Sequence, residues 1–133
     1  MEVANNFYRT SVKALIFDKD KRFLLCKEES GLWEFPGGGL DFSESPQDCI
    51  KRELWEEMGL KVTKVNKKPS CFLSFMNSHN YQAANIFFET EVENLDIKKS
   101  DECVEARFFN KEEALKENLF SNVKKFIEVY EEK

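Results

Sequence analysis

The chain has 133 residues, 41% of them hydrophobic and 14% aromatic, with 25 Asp+Glu against 20 Lys+Arg for a net charge of −5. That length predicts one domain over residues 1–133, and 13 phenylalanines supply enough apolar bulk for a core, which argues against intrinsic disorder. The acidic balance disfavours a stable nucleic-acid complex and sits awkwardly with any polyanionic substrate.

Met1–Asn6 lacks a basic stretch followed by an apolar one, so no secretory leader is expected. No apolar run approaches the roughly 18 residues of a membrane span. The four cysteines (Cys26, Cys49, Cys71, Cys103) form no C-x-x-C pair and read as small buried hydrophobes in a reducing cytoplasm.

Tyr8–Phe17 is apolar and β-branched enough for a strand, Asp18–Lys21 is a polar turn, and Arg22–Lys27 reads as the returning strand. Gly31 breaks the chain before Trp33, and three glycines follow at Gly37–Gly39. Ser45 is a good N-cap, Pro46 suits the first helical position, and Gly59 supplies a left-handed stop, so a helix is predicted over 46–58. Lys61–Val65, Ser70–Phe75, Asn85–Val92 and Ala106–Phe109 are strand candidates. Asn110, with Glu113 three residues on, caps a further helix. Val123, Phe126, Ile127 and Tyr130 form the apolar stripe of a last one. The fold class predicted is α+β, a mixed β-sheet sandwiched between helices.

The helix over 46–58 is the informative segment. At about 100° per residue, Ile50, Leu54 and Met58 make a core-facing stripe, and Glu53, Glu56 and Glu57 cluster beside it on the shoulder of the helix. Like charges so placed repel, and a divalent cation relieves the repulsion. Carboxylate oxygens suit Mg²⁺ or Mn²⁺. The alternative is a solvated helix laced by Arg52–Glu56 and Glu57–Lys61 pairs. The glycines shift the balance, because Gly37–Gly39 lets the backbone come close to an anion or a metal.

Gly38, Glu44, Arg52, Glu53, Leu54, Glu56, Glu57, Gly59 and Leu60 fill every specified position of G-x5-E-x7-R-E-U-x-E-E-x-G-U, where U is a bulky aliphatic. In this the chain resembles the Nudix hydrolase family, and its MutT-like branch in size. The resemblance implies a Nudix-type sheet between helices (α/β/α) and hydrolysis of a nucleoside diphosphate linked to another group, most simply a nucleoside triphosphate or similar small nucleotide. It implies Glu56 and Glu57 as core metal ligands, Glu53 as a third ligand or the water-activating base, and Arg52 as the group orienting the carboxylates. It makes Glu44 a supporting residue or a ligand of a further metal, and the backbone carbonyl of Gly37 or Gly38 a further ligand. Many relatives add a glutamate from a downstream loop; Glu102 is the first choice here and Glu105 the second. The general base is then Glu53 or Glu102.

For the substrate, Lys27 is either a basic phosphate contact or a solvated strand end, and Arg9 is a further candidate. Phe35 or Trp33 either stacks on a base or belongs to the core. Asn122 either reads the base, as a similar asparagine does in MutT-like enzymes, or caps the last helix. His79 reads as exposed, and Lys61, Lys64, Lys67 and Lys68 as a solvated hairpin. The proline that ADP-ribose pyrophosphatases usually carry downstream of the box is absent; Phe75 and Met76 occupy that region. The alternative function is a nucleotide-binding or regulatory module that keeps the fold without turnover. Isoprenoid diphosphate isomerisation lacks its active-site cysteine here, and RNA decapping is disfavoured by size and acidity. No membrane partner is expected, and the protein would act as a monomer or homodimer. The segment from Gly38 to Leu60 holds six acids and two bases, so most of the acidic excess sits where cations would bind.

Overall fold

The computed structural model describes residues 6–131; the terminus read for a leader, save Asn6, and residues 132–133 lie outside the described residues. Alternation along the first strand sets the frame. In β1 (Arg9–Leu15), Val12 and Ala14 are buried on one face, while Lys13 and Leu15 are buried on the other. A strand buried on both faces must be covered on both sides, and it is.

β1 pairs antiparallel with β4 (Gly37–Gly39) and parallel with the long β7 (Gln82–Val92). The free edge of β7 takes β6 (Cys71–Met76) along its first half and β5 (Val62–Val65) along its second, both antiparallel. A second sheet of three antiparallel strands runs in the order β3 (Trp33–Glu34), β2 (Phe23–Lys27), β8 (Glu105–Phe109).

The turn after β1 begins a hairpin and then abandons it. Phe17 bridges Phe23, and the Leu24 N–H donates to the Ile16 carbonyl at 2.9 Å. Beyond that point β2 joins the other sheet, because β4 already occupies that edge of β1, with Val12 opposite Gly38. The glycine run, read from sequence as a loop that lets the backbone come close to an anion or a metal, is therefore a strand. Gly37 has φ 137°, and an added Cβ would lie 2.1 Å from the Val12 carbonyl oxygen, so the close pairing admits only glycine.

α1 (Pro46–Met58) is built as its ends predict: the Ser45 hydroxyl accepts from the Asp48 N–H at 3.1 Å, and Gly59 closes it at φ 65°. It buries Cys49, Ile50, Leu54 and Met58 against Val12, Ala14, Leu24 and Phe88. On the opposite face, α3 (Ser121–Val129) buries Val123, Phe126 and Ile127 against an aromatic core in which Phe126 lies 4.7 Å from Phe35 and 4.9 Å from Phe87. Tyr130 falls one residue past the helix but still stacks on Phe126 at 4.6 Å. The short α2 (Lys111–Ala114) carries the predicted capping box between Asn110 and Glu113. The expected class, α+β with strands between helices, is what the chain forms, with the strands divided between two sheets. Among the described residues, no helix is long and apolar enough to cross a membrane.

Candidate active site

β4 lies against α1, and Gly38 faces Glu53 there. A Cβ at Gly38 would sit 2.5 Å from the Glu53 carboxyl carbon, so the glycine makes the space that the carboxylate occupies. Arg52 braces the acids from outside. Its guanidinium donates twice to Glu44, at 2.8 and 3.0 Å, once to Glu53 at 2.9 Å and once to Glu56 at 3.3 Å. Asp41 stands 3.5 Å from the same group. This bidentate contact holds the Glu44 carboxyl down at about 2, against the pull of burial.

Glu57 is the opposite case. Burial first, then hydrogen bonding to Glu53, pushes its carboxyl up to about 9, while the nearby Lys13 ammonium pulls the other way. A half-buried Glu57 carboxyl held back from ionising beside a second acid is the chemistry a hard divalent cation relieves. Donor type and the glycine-cleared cradle both fit such an ion. Among the described residues, however, no three candidate ligands yet converge tightly enough to enclose one. Glu56 is the reason in part. It lies more than half exposed on the Arg52 side of the helix and does not line the cavity.

That cavity, about 330 Å³, is lined by Glu53, Glu57, Glu102, Glu28, Lys13 and the Gly37–Gly39 strand. Glu102 reaches it because its turn is pinned to the end of α1. The Ser100 hydroxyl donates to the Glu57 carbonyl at 2.7 Å, and the Glu29 N–H donates to the Asp101 carbonyl at 3.0 Å. Glu105 is instead paired with Arg107 at 3.0 Å. Burial, and then the charge of Glu34, pushes the Glu28 carboxyl up.

A second cavity, about 510 Å³, adjoins the first and shares Lys13 and Glu34 with it. Lys13 lies 3.7 Å from Glu34. The same Glu34 oxygen accepts from the Asn122 amide at 2.7 Å and from the Phe35 N–H at 2.8 Å. Asn122 also donates to Asn85 at 2.9 Å. Lys13, Asn85 and Asn122 are all buried, and among the described residues no buried side-chain nitrogen or oxygen lacks a partner.

The candidates therefore separate. Asn122 is not the helix cap, since Phe120 holds that position and the Asn122 amide is turned into the network. Arg9 lines the second cavity. Phe35 touches the first cavity but is 1% exposed, with Phe23, Phe87 and Phe126 against its ring. Trp33 is equally buried, with the Arg107 guanidinium 4.8 Å from its ring. Lys27 lines neither cavity; its ammonium lies 5.9 Å over Trp33. His79, Lys61, Lys64, Lys67 and Lys68 are exposed, and all four cysteines are free.

Lys13, Glu28, Glu34 and Asn85 were not found from sequence. The signal for Lys13 and Asn85 was faint: a polar residue at a core-facing position of an apolar strand, where burial demands a partner.

A glycine strand laid on an acid-edged helix, between sheets flanked by helices, is shared with known proteins. The family profile described as the NUDIX domain matches residues 7–130, and the chain belongs to that family, in its MutT-like part. Nudix hydrolases generally use divalent metals. The MutT protein from Methanosarcina mazei Go1 superimposes with a TM-score of 0.74 at 27% identity, covering 95% of this chain and 94% of that one. An 8-oxo-dGTP diphosphatase from Proteus vulgaris is 36% identical over 73 residues, 55% of this chain and 63% of that protein. An RNA pyrophosphohydrolase from Hamiltonella defensa is 39% identical over 64 residues, 47% of this chain and 39% of that protein. The match thus spans less than two thirds of the length of either curated relative.

Proposed function

We propose that this chain hydrolyses the pyrophosphate bond of a nucleoside diphosphate linked to another group, a nucleoside triphosphate or similar small nucleotide, with Mg²⁺ as cofactor and Mn²⁺ as a substitute. The observation that carries this is the junction of two cavities at Lys13 and Glu34, one walled by carboxylates and the other by buried amides.

Glu53, Glu57, Glu102 and a Gly37 or Gly38 carbonyl would hold the ion, and Glu56 would join them only by giving up Arg52. The ion would supply charge neutralisation at the phosphate oxygens and make water more acidic. Arg52 keeps the Glu53 carboxylate oriented. Glu53 or Glu102 accepts the proton as water attacks phosphorus in line. Lys13, at the junction, offers an ammonium to the phosphates as they cross between the cavities.

The second cavity would take the nucleoside. Glu34 only accepts, which fixes the Asn122 amide with both N–H groups spent on Glu34 and Asn85. The Asn122 carbonyl oxygen and the Asn85 N–H₂ remain for the edge of a base, one acceptor beside one donor. The test is a nucleotide panel with the purified protein and Mg²⁺, followed for a nucleoside monophosphate product. Glu56→Gln and Glu57→Gln should each lower turnover by about 10²-fold or more, and unchanged activity in both would remove the metal assignment.

A further inference from the structure

Five strands stand at the edges of the two sheets, β3, β4, β5, β6 and β8, and four of them are blunted. β3 is two residues long, and the following chain takes its edge: the Trp33 N–H donates to the Asn118 carbonyl at 2.9 Å and the Phe120 N–H to the Trp33 carbonyl at 3.2 Å. β4 is three glycines laid against α1. β5 carries Lys64 and a shift of register. β8 carries Glu105 and Arg107. Short length, charge, bulges and covering segments are the devices that keep one sheet edge from pairing with another. β6 has none of them.

β6 runs Cys71-Phe72-Leu73-Ser74-Phe75-Met76 without a charge, a proline, a glycine or a break in register. Among the described residues it pairs with β7 alone. The Asn77 N–H donates to the Tyr81 carbonyl at 2.9 Å, which continues the register of Met76 with Gln82 and sets its phase. Leu73 and Phe75 therefore bond to β7, and the N–H and C=O groups of Phe72, Ser74 and Met76 point away from it. The side chains of those three residues stand on the face turned from the aromatic core. Phe72 is 63% and Met76 50% exposed, and Ser74 is exposed between them. Leu73 and Phe75 turn inward to the aromatic core.

The complement of this edge is the strand itself. Set antiparallel to a second copy about a two-fold axis at Ser74, Phe72 faces Met76, Leu73 faces Phe75, and Ser74 faces its own counterpart. The larger side chains then meet apolar partners on both faces, and all the outward N–H and C=O groups of both strands are matched. Lys67 and Lys68, which precede the strand, fall at the two far ends, beside the uncharged 77–81 turn of the other copy. A parallel arrangement would bring the lysines of both copies together, and a charged peptide would find no charge on β6 to pair with. Because the same edge serves both copies, the contact closes at two and does not grow. We propose that β6 pairs with β6 of a second copy, so that the two mixed sheets become one continuous sheet in a homodimer. Phe75 and Met76 also line the second cavity, and the interface adjoins it.

Analytical ultracentrifugation of the full chain over a dilution series should show a monomer–dimer equilibrium with a Kd of about 1–10 μM, since one strand pair lies at the low end of interface sizes. Ser74→Pro removes a donor that points away from β7, which leaves the ladder of the fold intact, and only monomer should remain. Phe72→Lys gives this edge the charge that β5 and β8 carry and should raise the Kd about tenfold or more. Ser74→Cys reads the register. Opposed Cα atoms lie about 5.5 Å apart, so mild oxidation should link two copies of this variant more than it links the native chain. Ser78→Cys, placed at the far ends, should not be linked. A native chain that is monomeric at every concentration, assemblies that grow beyond two copies, or a dimer that survives both Ser74→Pro and Phe72→Lys overturns the pairing. If Ser74→Pro does not fold, an unchanged Kd in Phe72→Lys or an absent Ser74→Cys link overturns it. None of these readouts depends on turnover, so the pairing and the hydrolase reading stand or fall separately.

Discussion

The two polar assemblies of this molecule are built in opposite ways. The acid cluster around Arg52 and Glu53 draws on one helix and the loop before it, within the span Asp41–Glu57. It keeps several like charges together beside the core, with one carboxyl pushed up to about 9. The Lys13–Glu34–Asn122–Asn85 network joins β1, β3, α3 and β7 across as many as 88 positions. There every buried polar atom is matched. The first assembly holds stored repulsion that a ligand can release; the second leaves none of its buried polar atoms without a partner and ties the two sheets and α3 together.

That contrast predicts opposite signs when each is broken. Glu57→Gln should lower kcat by about 10²–10³-fold, the scale for losing one group that stabilises developing charge. In metal-free protein the same change should raise Tm, because a buried carboxyl beside Glu53 gives way to a neutral amide. A Tm that falls would erase the distinction. Gly38→Ala pushes on the Glu53 carboxyl alone, the mobile end of a side chain. Activity should drop about 10²-fold from the displaced group while the melting curve barely moves.

Asn122→Ala tests the other side. It strips donors from Glu34 and Asn85 and should cost about 1–3 kcal/mol in a denaturant titration, with a higher KM for nucleotide. If KM rises with no loss of stability, the network is a binding surface and not a strut. Ser45→Ala removes the cap of α1 and is the smallest change: about 1 kcal/mol of stability, with kcat unaltered because α1 remains anchored by Ile50, Leu54 and Met58.

The sequence was most legible where interactions are local. The extent of α1, its cap and stop, its buried stripe and the clustering of its acids all follow from a 3.6-residue period and end chemistry, because every determinant lies within a few positions. The same holds for the capping box at Asn110 and for the strand periods of β5 to β8, which shift only at their ends. Legibility failed where one edge or one cavity is shared by distant segments. That β4 would claim the edge of β1 and send β2 into a second sheet depends on competition between strands, which no single segment encodes.

The chain's own residues therefore determined its family, its class and the acid-edged helix, since a motif of short span carries its geometry with it. Which cation stands where the two cavities meet was decided by the tertiary structure. Lys27 looked the better candidate at a strand end, yet it turns to Trp33, and Lys13, hidden in an apolar strand, stands at the junction. Asn122 was likewise placed by partners 37 and 88 positions away. The physical reason is that a buried polar side chain is defined by the groups that satisfy it, and those groups come together only when the chain folds.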